Sequence, residues 1–270
     1  MKTNVMMAVM MALFCGITSV AAGVAISHGD FEIIGENVSL KSLDVRGQLS
    51  LTDGNLSADE NLTANSIKLE TGYGKPVSIL EADNITTEQL SNGGSKVVVN
   101  RLKTNGLWNG GVTDAGEADI VSANIGGGSK AMGNNWSVKT LVVDTGATLT
   151  AKNLTAGPTT IETGAVITAD NATLNNTSMC CGAVLRSLTD GVIKTKNLDA
   201  CCGAQVKAGE YTGENVNLSA GAQITAKKTI EAKNINLTAG GACVAPNINA
   251  EDKIVARHLS VSGDRVVASG

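Results

Sequence analysis

The sequence predicts an all-β fold, a right-handed parallel β-helix (β-solenoid) with coils of about 19 residues. Three observations carry that prediction. The dipeptide Gly-Ala recurs at Gly146, Gly164, Gly182, Gly203, Gly221 and Gly241, at intervals of 18, 18, 21, 18 and 20 residues. An aliphatic residue stands three places after each glycine: Leu149, Ile167, Leu185, Val206, Ile224 and Val244. Between these marks the pattern alternates with period 2, as in Thr148-Leu149-Thr150-Ala151 and Asn215-Val216-Asn217-Leu218, and no long helical stripe occurs.

The repeat dictates the core. Strands of a few residues joined by Gly and Asn turns wrap a narrow interior, because those residues accept the positive φ that sharp turns need. Coils stack at the inter-strand spacing of roughly 4.8 Å, so Leu149, Ile167, Leu185, Val206, Ile224 and Val244 are expected to form one inward aliphatic column. Each buried member contributes about 1.5–3 kcal/mol. A thin interior also accounts for the composition: 43% of residues are hydrophobic, yet Trp, Tyr and Phe number two each.

Composition and charge narrow the function. With 21 Lys+Arg against 25 Asp+Glu and no basic stripe, the chain lacks the phosphate-neutralising surface of a nucleic-acid binder. Its two histidines, His28 and His258, are far apart, and no nucleophile, Walker or Rossmann motif is present. No catalytic residue, metal ligand or cofactor is therefore expected. Solenoids that cleave acidic polysaccharides are the enzymatic alternative, but they need clustered acidic or basic columns with aromatic subsites, and here the basic residues are dispersed.

Four segments are expected. Residues 1–22 read as a secretory signal peptide: Lys2, then the uncharged run Val5–Ile17, then the small residues Ser19, Ala21 and Ala22. That places the mature chain outside the cell or at its surface, with the periplasm a further destination, and leaves it no membrane span. Residues 23–90 read as an N-terminal cap and first irregular coils. Residues 91–137 read as a Gly-rich interruption with projecting loops, where Trp108 and Trp136 either contact a ligand or plug a widened coil. Residues 138–270 read as the regular solenoid.

Five cysteines remain beyond the signal. Cys-Cys-Gly-Ala occurs twice, so Cys180 is expected over Cys201 and Cys181 over Cys202, within reach of rung-to-rung disulfides. Vicinal cysteines on a strand point to opposite faces, which disfavours zinc. Cys243 is left as an unpaired or intermolecular thiol. Asp114, Glu117 and Asp119 match no calcium loop and read as a solvated acidic turn. The recurrent Asn-x-Ser/Thr phrase, as in Asn153-Leu154-Thr155, follows from the coil: Asn at a turn, aliphatic inward, Thr outward.

The Gly-Ala-x-aliphatic coils from 146 to 244 and the Asn-Leu-Thr turns resemble the passenger regions of bacterial autotransporters and the filamentous-haemagglutinin-like adhesins. The likeness is one of repeat style, closer in the C-terminal half, and the chain departs from it in length and in its paired cysteines. It implies a non-enzymatic, secreted or cell-surface structural and adhesive protein that binds a surface or matrix ligand, and it transfers no catalytic residues. The competing reading is a subunit of an extracellular fibre, because uncapped solenoid ends can pair end to end with identical ends.

Overall fold

The computed structural model describes residues 23–256 and 260–268. The signal-peptide reading of residues 1–22 lies outside the described residues, as does His258. The described residues form a β-solenoid of about 13 turns, in stacked coils of about 18 residues; of these residues 75% are strand and 0% helix. The strands pair in parallel among the described residues. No described helix is long and apolar enough to cross a membrane. Two compact units are present, one running to Ala123 and taking in Ser129–Gly133, the other comprising Asn124–Gly128 and Asn134–Gly270.

The second unit shows how the repeat folds. Its coil has three strand segments. In the coil that opens at Ala147, residues Ala147, Leu149 and Ala151 point inward on the first, Leu154 and Ala156 on the second, Thr159 and Ile161 on the third. Paired exposed residues at 152–153 make the first corner, and Gly157-Pro158 makes the second. The third corner is a four-residue turn closed by a backbone bond, Ala165 N–H to the Glu162 carbonyl at 3.0 Å. The same bond closes Asp144–Ala147, Cys180–Ala183, Cys201–Ala204, Ser219–Ala222 and Thr238–Gly241.

That turn explains the Gly-Ala mark. Gly146, Gly164, Gly182, Gly203, Gly221 and Gly240 all adopt φ between 65° and 84°, where a Cβ is strained. The next residue is the first of the coil to face inward, and Ala147, Ala165, Ala183, Ala204 and Ala222 there are all buried.

The coil that opens at Gly241 corrects one expectation. Its turn glycine is Gly240, not Gly241, and Gly241 takes the alanine's place, where a Cβ would lie 2.4 Å from the Leu218 carbonyl oxygen. The register is thus Ile224 against Cys243 and Thr225 against Val244. The aliphatic column runs Leu149, Ile167, Leu185, Val206 and Ile224, all buried, and its sixth member is Cys243, not Val244, which is half-exposed.

In the first unit the coils stack in parallel from the first described strands, with register shifts between Val45 and Gln48 and between Ala58 and Asn61. Val24–Ser27 and Phe31–Ile34 both pair with Ser42–Thr52, which pairs with Asn55–Glu70, and that with Ile79–Gly93. The stretch 23–90, expected as a cap and first irregular coils, is thus a stack of parallel coils from its first described strand, with those two shifts and one excursion, residues 71–78, where Tyr73 is fully exposed.

The expected loops at 91–137 are absent among the described residues. That stretch consists of the strands Ile79–Gly93, Lys96–Asn109, Val112–Ile125 and Lys130–Val143, linked by turns of two to four residues. Asp114, Glu117 and Asp119 lie on the third of these, not in a turn, and Glu117 pairs with Arg101 at 3.4 Å.

The Asn-Gly pairs there do not make hairpins. Asn92 and Asn109 point into the solenoid at the same register position and are fully buried. Asn92 Nδ2 donates to Asn109 Oδ1 at 3.0 Å, and Asn92 Oδ1 accepts from the Ser95 N–H at 2.8 Å. Thr113 Oγ1 donates to Asn109 Oδ1 at 3.1 Å. Buried amides that bond one another and the turn backbone fill the space an aliphatic pair occupies elsewhere, and their polar atoms are satisfied.

Candidate binding groove

A continuous groove of the second unit lies along the second strand segment of its coils. There the outward residue of each coil stacks on the next: Thr155 on Thr173, Thr173 on Lys194, Lys194 on Thr212, Thr212 on Glu231, Glu231 on Asn249. Beside this column the second corner contributes Asn175, Lys196, Glu214, Lys233 and Glu251. The two columns line an open groove of about 830 Å³.

The corner column alternates in sign. The register sets Lys196 beside Glu214 and Glu214 beside Lys233, with Glu251 following on the next coil. Opposite charges on adjacent strands attract, whereas like charges stacked in a column would repel. The groove thus carries three lysines and three glutamates, counting Lys194 and Glu231 of the first column.

Tyr211, touched by the lining residues Thr195 and Gly213, is buried inside the solenoid and does not itself line the groove. Its coil neighbours Ile193 and Ile230 share its inward position. A phenol is too large for that slot unless a neighbour yields, and the yielding residue is Gly213, two places on. The Tyr211 hydroxyl bonds Thr195 Oγ1 at 2.6 Å inside the solenoid. Burial drives the Tyr211 pKa well above the usual phenol value, with the Thr195 bond opposing it.

Asparagine ladders hold the corners that flank the groove. Asn135, Asn153 and Asn171 bond side chain to side chain at 2.9 and 3.1 Å. Asn176, Asn197, Asn215 and Asn234 form a second ladder at 2.7, 2.7 and 3.0 Å. Each internal amide donates to one coil and accepts from the other, a use of both its functions that fixes the corner backbone.

Other predicted site residues fall elsewhere. Trp136 is buried, which removes it as a ligand contact and makes it core; Trp108 is half-exposed and lies over Gly110, where a Cβ would stand 2.9 Å from its ring. The five described cysteines are free thiols, none within disulfide distance of another. Cys180 and Cys201 occupy equivalent turn positions and are half-buried, while Cys181 and Cys202 are exposed. Cys202 takes φ 51°, whereas Cys181 is not among the residues of positive φ, so the two stacked turns aim these side chains differently. Cys243 is buried, its pKa pushed up to about 12 by desolvation, and its sulfur faces the column rather than another molecule. Among the described residues no three His, Cys, Asp or Glu side chains converge as a metal site.

Sequence reasoning missed the groove and Tyr211. Counting nine residues from the turn glycine finds Thr155, Thr173, Thr212 and Asn249. The Ser187–Gly191 insertion displaces Lys194 from that count, and one extra residue displaces Glu231.

Comparison with protein-family models, with curated proteins and with solved structures finds no match. Function therefore rests on the groove and the sequence.

Proposed function

We propose that this chain is a non-enzymatic, secreted or cell-surface structural and adhesive protein, whose solenoid is a scaffold for binding a surface or matrix ligand along the groove of its second unit. One observation carries the reading: six consecutive coils deliver the same outward position to one continuous groove. Solenoid stacking converts a short sequence repeat into a long, periodic contact surface. The charged, apolar-run and small-residue order of residues 1–22 supports an exported chain.

The test is adhesion of the purified mature chain to immobilised cell-envelope and matrix preparations. Retention that drops when Lys194, Thr212 and Glu231 are replaced together by alanine supports the groove. Retention indifferent to those changes places adhesion elsewhere.

A second reading has its own observation. Val24–Ser27 and Phe31–Ile34 pair with Ser42–Thr52 alone among the described strands, and Val24, Ile26 and Ile34 are exposed. An open parallel edge is a template for another strand. That favours end-to-end self-association into a fibre, which electron microscopy of the mature protein at rising concentration would reveal as filaments.

A further inference from the structure

We infer that the groove's ligand is a linear, uncharged, hydroxyl-rich polymer, a neutral glycan chain, lying parallel to the stacking direction of the second unit. The inference rests on the groove reading above and adds the chemistry of what fills it.

Charge decides the first point. Lys194, Lys196 and Lys233 face Glu214, Glu231 and Glu251 within one groove, and they alternate along the corner rather than segregating. A polyanion laid along this line meets a carboxylate at every second rung, and a polycation meets an ammonium. Neither gains the summed attraction that a single-sign groove supplies. An uncharged chain meets no such repulsion.

Hydrogen-bond chemistry decides the second. The groove offers ammonium donors, carboxylate acceptors, and threonine and asparagine groups that do both. A carboxylate or phosphate ligand only accepts, and an amine ligand only donates when charged. A hydroxyl both donates and accepts, so one kind of ligand group satisfies every side chain of the groove, with charge-assisted bonds to Lys and Glu.

Geometry decides the third. Thr155 to Asn249 covers six rungs, about 24 Å at the strand spacing. The lining presents side chains from strand faces, not an unpaired strand edge, so a peptide has no backbone ladder to join here. A chain of similar units repeating along the axis can place one unit near each rung. No aromatic platform lines the groove, so each rung contributes a small hydrogen-bonded increment and affinity accumulates with ligand length.

The experiment is affinity electrophoresis and calorimetry of the mature full chain against three sets of probes. One set is neutral: hydroxyethyl cellulose, dextran, xylan and a length series of β-linked gluco-oligosaccharides. Polygalacturonate supplies the polyanion and chitosan the polycation. The expected result is retention by at least one neutral linear polymer, with affinity that climbs with oligomer length, levels off near six units, and is unchanged between low and high salt. The combined variant Lys194→Met, Thr212→Val, Glu231→Met is expected to lose at least tenfold in that affinity. All three side chains are exposed, so its circular dichroism and melting should match the parent. Gln223→Leu, on the first strand segment, should bind as the parent does.

Retention by polygalacturonate or chitosan alone, weakening with salt, overturns the inference. So does failure of every neutral probe, or equal binding by the variant. If neutral probes fail while adhesion to envelope preparations still depends on Lys194, Thr212 and Glu231, the ligand class is wrong and the groove stands. If adhesion ignores those residues, the groove itself is wrong.

Discussion

Tyr211 and Gly213 share one inward space: a Cβ built on Gly213 would lie 3.0 Å from the Tyr211 hydroxyl and 3.2 Å from its ring. The side chain that Gly213 lacks is what lets a phenol enter an interior made for Leu, Ile and Ala. Two substitutions separate the parts. Tyr211→Phe removes the bond to Thr195 and is expected to cost about 1 kcal/mol. Gly213→Ala overpacks the same space and is expected to cost about 1–3 kcal/mol. Because both act on the hydroxyl's space, the double variant should cost less than the two added together in urea unfolding. Strict additivity would show that Gly213 does not make room for Tyr211.

The register of the coil that opens at Gly241 separates Cys243 from Val244. Cys243→Asp places a charge in a dry column beside Ile224 and should destabilise by several kcal/mol, or prevent folding. Val244→Asp puts the same charge on the outward side and should shift stability by within about 0.5 kcal/mol. Ile224→Asp, in the preceding coil, should behave like Cys243→Asp. Thermal melts of the three variants check the ordering, and a Val244→Asp melt as damaging as Cys243→Asp would contradict the pairing.

The solenoid was legible because its turn imposes two demands at once: positive φ at Gly146 and its equivalents, and a methyl-sized inward residue next to it. Those demands write Gly-Ala at a near-constant interval. Where the demands are met otherwise, the reading failed. Ser78 and Ser95 replace the alanine in the first unit, and both are buried. Asn92 and Asn109 turn inward, so glycines and asparagines that suggest loops belong to strands and tight corners. The groove was hidden for a different reason. Thr173 and Lys194 are chemically unlike, and only their stacking makes them one surface. Stacking across the Ser187–Gly191 insertion is a property of the register, which the local pattern of either coil does not carry.

The thiols should react in order of exposure. Cys181 and Cys202, exposed, are expected to alkylate first, Cys180 and Cys201 next, and Cys243 only as the coil opens. Mass spectrometry after timed iodoacetamide treatment reads the order directly. The same burial makes an alkaline prediction. The Cys243 pKa rises from 9.0 to about 12 on folding, so the native state keeps a proton that the unfolded chain has lost. Its contribution is complete below the unfolded value and disappears as pH rises from 9 toward 12. Tyr211, raised in the same way, adds to the loss above its unfolded value of 10.0. Cys243→Val should remove the earlier part of that alkaline decline and leave the later part. A decline of unchanged onset would show that the Cys243 proton is not what folding retains.

The corner ladders make the last prediction. Asn215 donates to Asn197 Oδ1 at 2.7 Å and accepts from Asn234 Nδ2 at 3.0 Å. Asn215→Ala deletes both bonds at a half-buried site and should cost about 1–3 kcal/mol at every pH. Asn215→Asp is more informative. As a carboxylate it still accepts from Asn234 but faces the Asn197 oxygen with no proton to give. As a carboxylic acid it can donate again. The folded state therefore favours the protonated form and raises that group's pKa above its unfolded value of about 3.9. Stability from the protonated ladder is present at low pH and lost as pH rises through the folded pKa. Relative to parent, Asn215→Asp should be destabilised at neutral pH and recover toward pH 3, while Asn215→Ala should not recover. Equal, pH-independent losses in the two variants would mean that the ladder does not depend on the amide proton Asn215 gives to Asn197.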